Sequence, residues 1–229
     1  IEIDATHAVV SQHVAHPPAG GESLTLSLDA EFSEVLYDAL ATTSEQYGFR
    51  SGAGVVMDVH TGEIVALANF PSFNPEVLAK GSDAAAIAKL NADPRMPFLN
   101  RIVSGLYTPG SIVKPFVAYG ALSEKIISPE KQILSTGSLS IPNPYDPSHP
   151  SVFNDWRAHG LVDMRRAIAV SSNVYFYEIG GGFGDQPGLG IARINKYMHF
   201  FGFGEPVEMP LSGGKAGTVP NPEWKKEMF

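Results

Sequence analysis

The hydrophobic and polar positions of this chain change period along its length. From Ser23 to Leu28 the order Ser-Leu-Thr-Leu-Ser-Leu alternates strictly, which predicts a half-buried strand. Asp29 then stands where an N-cap is expected, before a helix whose Phe32, Val35, Leu36, Ala39 and Leu40 share one face. Residues 53–59 and 63–69 read as a hairpin turning at Thr61-Gly62, with sheet packed on helix as the expected core. The Ala-rich stretch 80–98 reads as a helix, and 133–153, with four prolines and few periodic apolar positions, as an irregular loop. Residues 161–182 and 190–201 are expected to be helical, with core faces that include Ile168, Val174, Phe176 and Ile191. Gly180-Gly181-Gly182-Phe183-Gly184 follows a helix and has Pro187 where a dinucleotide loop needs its third glycine, so it is a helix stop and turn.

Residues 1–21 carry His7, His13, His16, Pro17-Pro18 and Gly20-Gly21, and read as a strand remnant and a linker. The three histidines share no helix or hairpin register, which favours solvated linker over a metal site. With 229 residues and 44% hydrophobic content the chain can bury a substantial core as one domain from residue 22 onward. A net charge of −8 and scattered Lys and Arg leave no basic footprint, which argues against nucleic acid as a partner. No run approaches 18 apolar residues and the N-terminus has no signal-peptide pattern. The absence of cysteine removes disulfides and thiol catalysis but decides no compartment.

Candidate chemistry begins at Tyr107-Thr108-Pro109-Gly110-Ser111-Ile112-Val113-Lys114. On a helix, residues three apart lie roughly 5–6 Å from each other on one face. Pro109-Gly110 is a turn that opens a helix, and Val117, Ala118, Ala121 and Leu122 continue an apolar face behind Ser111 and Lys114. In such a first turn the free N–H groups and the helix dipole favour developing negative charge, and a desolvated lysine can take the serine proton. Spacing by itself decides little, because Ser-x-x-Lys recurs at Ser128/Lys131 and Ser212/Lys215. The former reads as a surface helix start; the latter is too glycine-rich to fix two side chains. Roughly sixty residues after Ser111 comes Ser171-Ser172-Asn173, a hydroxyl and a carboxamide two apart between apolar helical runs. Ser171 could pass a proton between Lys114 and a leaving group, and the Asn173 amide could hold Lys114 or a substrate carbonyl. An Asn/Ser helix cap is the plainer reading, and Ser72-Phe73-Asn74 repeats the pattern.

Taken together, Ser111-x-x-Lys114 and Ser171-x-Asn173 resemble the penicillin-binding, serine-reactive transpeptidases. Gly54 to Ala66, Pro71-Ser72-Phe73-Asn74-Pro75 and Asn100-Arg101 extend the likeness. Asn154-Asp155-Trp156-Arg157-Ala158-His159-Gly160 and Pro220-Asn221-Pro222-Glu223-Trp224-Lys225 are similar to class B penicillin-binding proteins of the elongation type, the penicillin-binding protein 2 group. The third motif of that family, Lys-Thr-Gly, is absent; Lys215-Ala216-Gly217-Thr218 is the nearest string and lacks the β-branched run of a strand. The resemblance therefore implies the first part, residues 22–229, of a transpeptidase domain that continues beyond Phe229. It would have an α/β fold of the penicillin-binding and serine β-lactamase type, with antiparallel sheet against helices and a helical lobe. The implied activity is peptidoglycan D,D-transpeptidation with Ser111 as nucleophile, Lys114 as base, Ser171 as relay and Asn173 as a binding amide, without a cofactor. The fragment itself is expected to be poorly active, because the missing strand holds the substrate carboxylate and one oxyanion-hole N–H. Implied partners are stem peptides, β-lactams and membrane proteins of the elongation complex, at the extracytoplasmic face of the inner membrane. Asp155 and Trp156 are candidate substrate contacts. Some relatives place a metal cluster at Asp155 and His159, but the companion positions here are Ser135 and Ser172, poor zinc ligands, so no metal is expected. A β-lactamase or β-lactam sensor, or a non-catalytic scaffold, are the alternatives.

Overall fold

The computed structural model describes residues 2–11, 20–21, 23–143, 145–207 and 213–228, and the chain divides into two compact units, 1–70 and 71–229. The division falls after Phe70, inside the stretch expected as one domain from residue 22. In the first unit β1 (Glu2–Ile3) pairs antiparallel with β2 (Val9–Ser11). His7 lies in the turn between them; His13 and His16 fall outside the described residues.

Helix α1 (Ala30–Tyr47) starts where the Asp29 side chain accepts the Phe32 N–H and stops at left-handed Gly48. It packs on a hairpin of β3 (Gly52–Met57) and β4 (Ile64–Phe70), in register from Gly52 opposite Phe70 to Val56 opposite Ala66. The tie runs through Asp29 N–H to the Val65 carbonyl at 2.8 Å and Leu67 N–H to the Ser33 hydroxyl at 3.3 Å. Ala66 and Ala68 are buried. The helix face differs from expectation: Ser33, Leu36, Tyr37, Leu40 and Ser44 turn inward, whereas Phe32 and Val35 are exposed. The alternating stretch 23–28 is not a strand, and Leu24 and Leu26 are exposed. Alternation marks a face that could be buried, but a strand also needs a ladder partner, and none pairs with it among the described residues.

The second unit opens with α2 (Pro75–Lys80), capped by Asn74, α3 (Ala84–Ala92), capped by Asp83, and the single turn α4 (Arg101–Ser104). A 3-10 turn, Gly110–Val113, runs directly into α5 (Lys114–Ser123). The expected loop 133–153 is partly sheet: β5 (Ile133–Ser135), β6 (Ser138–Ile141), β7 (Ser151–Asn154) and β8 (Gly160–Val162). β5 pairs with β8 and β6 with β7, both antiparallel, and the described residues between β6 and β7 are irregular. These pairings lie between residues far apart in sequence, so local periodicity does not report them. The expected 161–182 helix is broken into α6 (Met164–Ala169) and α7 (Asn173–Gly181), followed by α8 (Ile191–Phe200) and α9 (Pro222–Met228).

The core is Ala118 and Ala121 of α5, Ile133, Val162, Met164, Ala167, and Tyr175, Phe176 and Ile179 of α7. Val174 and Phe176 are buried as expected, whereas Ile168, near the end of α6, and Ile191, the first residue of α8, are exposed. Gly120 sits where α5 meets α8: a Cβ there would lie 2.8 Å from the Tyr197 ring. Only the smallest side chain permits that approach.

Candidate active site

Ser111 is exposed on the 3-10 turn, and its carbonyl accepts the backbone N–H of Lys114. Gly110, at φ +62, makes the bend that presents it. Three residues on, the side of α5 that carries Lys114 faces the core, and the lysine is only 8% exposed. Its stem runs beside the Phe176 ring, with Nζ 5.7 Å from the ring centre.

The break between α6 and α7 supplies the acceptors. Lys114 Nζ donates to Asn173 Oδ1 at 2.6 Å and to the Ser171 carbonyl at 2.7 Å, and lies 3.1 Å from Ser171 Oγ. An ammonium has three N–H donors, and these three oxygens match them. The hydroxyl contact is the longest and can reverse: a neutral amine can accept from Ser171 Oγ while it still donates to the other two. Burial lowers the pKa of Lys114 below the ordinary lysine value, and the nearby Asp155 charge opposes that effect. The Asn173 amide is oriented from behind, since its Nδ2 donates to the Asn154 carbonyl at 3.3 Å, which also accepts from the Tyr177 hydroxyl at 3.3 Å.

Ser171 has φ +54, a left-handed conformation that costs a serine on the order of 1–2 kcal/mol. That reversal ends α6, turns the Ser171 carbonyl toward Lys114, and lets Ser172 cap α7, its Oγ accepting the Tyr175 N–H at 3.4 Å. The helix-cap reading of the triplet therefore holds for Ser172, beside the contacts that Ser171 and Asn173 make to Lys114. The other Ser-x-Asn copy is a cap alone: Asn74 accepts the Glu76 N–H.

Asp155 stands elsewhere than a substrate contact would. Its side chain is 0% exposed and that of His159 2%. Oδ2 accepts from the Ser172 hydroxyl at 2.9 Å, the Val174 N–H at 3.0 Å and the Ser135 hydroxyl at 3.2 Å; Oδ1 accepts the Trp156 N–H at 2.9 Å. Burial pushes this carboxyl up, but the donors at Val174, Asn173, Ser172 and Trp156 outweigh it and hold the pKa down at about 2. A buried carboxylate saturated by its own chain is a structural anchor, which corrects the substrate-contact expectation for Asp155. Trp156 is 60% exposed, with its indole N–H donating to the Val170 carbonyl at 3.1 Å. The four positions weighed above as a metal cluster do converge, but as one carboxylate, one imidazole and two hydroxyls that both donate into Asp155 Oδ2. That donor set does not fit a structural zinc. No group of three or more His, Cys, Asp or Glu suited to a metal occurs among the described residues.

The remaining Ser-x-x-Lys copies fall apart. Ser128 and Lys131 lie on an exposed turn rather than the expected helix start, joined only by Lys131 N–H to the Ser128 carbonyl at 3.2 Å. Ser212 lies outside the described residues. Lys215 belongs to no strand; the segment behind it, Gly217-Thr218-Val219-Pro220, lines a cavity of about 400 Å³ with Leu106, Tyr107, Thr108 and Pro109. Sequence reasoning missed the left-handed turn at Ser171, because serine gives no local sign of it as glycine or asparagine would. It also missed the Asn154 carbonyl, a backbone atom that no side-chain pattern reports.

Residues 52–229 match the family described as "Penicillin binding protein transpeptidase domain". The chain is 36% identical over 228 residues to "Peptidoglycan D,D-transpeptidase MrdA" of Acinetobacter baumannii, covering 98% of this chain and 31% of that protein. It is 29% identical over 231 residues to the protein of the same name from Escherichia coli K12, covering 100% and 34%. The chain thus spans about a third of the length of these curated relatives. Among solved structures, Pseudomonas aeruginosa PBP2 in complex with WCK 5153 superposes with a TM-score of 0.73 at 31% identity, covering 89% of this chain and 42% of that one. Helicobacter pylori PBP2, in its complex with MreC, superposes at 0.75 with 27% identity, covering 99% and 39%. The expected α/β fold holds, as a portion of the domain, and this chain belongs to the penicillin-binding protein transpeptidase domain family.

Proposed function

We propose that this chain is part of a peptidoglycan D,D-transpeptidase, with Ser111 as nucleophile. The observation that carries the reading is the buried amine of Lys114, one helical turn from Ser111 and caged by the carbonyl and hydroxyl of Ser171 and the amide oxygen of Asn173. Ser111 Oγ attacks the carbonyl carbon between two terminal D-alanines. Neutral Lys114 takes its proton, and the start of the helical segment favours the negative charge that develops on the carbonyl oxygen. As the C–N bond breaks, Lys114 returns the proton through Ser171 Oγ to the leaving amine. The acyl-serine is then resolved by the amine of a neighbouring stem peptide, with loss of its proton by the reverse route.

A β-lactam enters the same first step and stays attached. The names of the relatives support the substrate class, and the structure of a relative with MreC supports a membrane-bound elongation partner, with the whole protein anchored at the outer face of the inner membrane. No helix among the described residues is long and apolar enough to cross a membrane. Treating the full-length protein with penicillin and mapping the adduct by mass spectrometry tests the assignment. The adduct is expected on Ser111 and absent from Ser128 and Ser212; labelling that survives Ser111→Ala would overturn it.

A further inference from the structure

The strained residue at the centre of the site is gripped on both sides by one dipeptide. Before Ser171, the Val170 carbonyl accepts the indole N–H of Trp156 at 3.1 Å. After it, the Ser172 hydroxyl and the Val174 N–H donate to Asp155 Oδ2 at 2.9 and 3.0 Å. The dipeptide is itself anchored. Ser135 of β5 donates to the same Asp155 oxygen, the Trp156 ring packs edge-on against His159 with centres 5.0 Å apart, and the Arg157 guanidinium stacks 4.4 Å from the Trp156 ring centre. Neither Asp155 nor Trp156 bonds to Ser171, to Lys114 or to the Asn173 side chain; Asp155 reaches the Asn173 backbone N–H and the residues around it, and Trp156 the carbonyl before Ser171.

We infer that Asp155 and Trp156 are positioning residues that clamp the 170–172 segment and hold Ser171 in its left-handed turn, so that its carbonyl and hydroxyl face Lys114 together. Left-handed φ is disfavoured for serine by on the order of 1–2 kcal/mol and persists where the surroundings over-determine it. Released on either side, Ser171 relaxes toward an ordinary conformation and turns its carbonyl away, and the amine loses one or both of the acceptors that hold it. Trp156 grips a backbone carbonyl, which explains why a large, mostly exposed aromatic side chain sits at this point. Asp155 adds a second contribution, since its charge is the one that acts on the lysine from behind the turn. The groups facing Lys114 are otherwise neutral: the Ser171 hydroxyl and Asn173 amide, and the Phe176 ring of α7. His159 lies behind Asp155, 3.6 Å from its carboxylate.

The inference rests on the acyl-transfer reading, and one experiment separates the two. Acylation of the full-length protein by a fluorescent penicillin is followed against penicillin concentration and pH for the wild type, Trp156→Phe and Asp155→Asn. Trp156→Phe keeps a ring but removes the N–H donor, and should lower the limiting acylation rate constant about 3- to 10-fold with the half-saturating concentration unchanged. Asp155→Asn should lower it on the order of 10²-fold, as expected for a misplaced catalytic group, and move the acid limb of the profile to lower pH. The sign follows from charge: without the carboxylate a buried lysine gives up its proton more readily. A site merely loosened and wetted would move that limb the other way. An acid limb displaced to higher pH, or a Trp156→Phe protein that acylates at the wild-type rate, overturns the clamp. If Asp155→Asn does not fold, Trp156→Phe decides alone. A wild type that takes no label overturns the acyl-transfer reading instead.

Discussion

At the scale of single residues, Lys114 is the point on which the proposed acyl transfer turns. It is held by three oxygens yet must be neutral to accept a proton, and burial supplies the bias toward the neutral form. Lys114→Met should slow penicillin acylation by at least about 10²-fold, the scale of a lost positioned base. Lys114→Arg should do no better, since a guanidinium does not deprotonate in proteins. In the wild type, acylation should rise with pH through an apparent pKa below the ordinary lysine range. Asn173→Asp places a second negative charge 2.6 Å from the amine, stabilises its protonated form and should move the acid limb to higher pH. A pH–rate profile of the full-length variant reads that shift directly, and an unmoved limb would mean that Lys114 is not the titrating base.

At the scale of elements, the site is a junction between a helix start and a helix break. α7 is nine residues long, and its first-turn N–H groups are met by Asp155, which accepts from Val174, and by Ser172, whose hydroxyl accepts from Tyr175 and donates to Asp155. Ser172→Ala removes both bonds and should lower stability by about 1–2 kcal/mol in urea unfolding. At the other helix, Gly110→Ala forces a side chain into φ +62 directly before Ser111. It should slow acylation while leaving α5, which begins four residues later, folded by circular dichroism. Much of this was legible in order along the chain. Asp29 as a cap, Gly182 as a stop at φ +86, and the hairpin at Thr61-Gly62 each rest on residues whose local chemistry admits few alternatives. The strands β5 to β8 were not legible, because a three- or four-residue strand carries too few periods to separate it from loop.

At the scale of the whole molecule, strands among the described residues pair only in twos, each pair antiparallel. Two-stranded ribbons are marginal alone in water, so helix packing carries them: α1 on β3 and β4, and α7 on β5, β6 and β7. The tight approach of α5 to α8 at Gly120 is part of that scaffold, and Gly120→Val should cost about 1–3 kcal/mol through overpacking against Tyr197. Asp155 links the site to global acid stability. Its carboxyl is held at about 2 in the fold against about 3.9 unfolded, so it stabilises at neutral pH by about 2–3 kcal/mol. That contribution is complete above the unfolded value and is lost as pH falls from about 4 toward 2. Stability of the wild type minus that of Asp155→Asn, measured by denaturant unfolding across this window, should shrink as the pH drops.

The sequence by itself singled out the candidate residues Ser111, Lys114, Ser171 and Asn173 and roughly which helices bear them, because hydroxyl, amine and carboxamide at fixed spacing are properties of local order. It also carried the family likeness through Ser111-x-x-Lys114, Ser171-x-Asn173 and the Asn154 to Gly160 block. Only the tertiary structure decided that Lys114 and Asn173, 59 residues apart, meet at 2.6 Å, that Ser171 adopts a left-handed turn, and that Asp155 is buried beneath that turn rather than open to substrate. Those outcomes depend on where α5, α7 and β5 come to rest against one another. Close packing fixes such placement through many weak contacts spread over the core, and no short stretch of sequence records them.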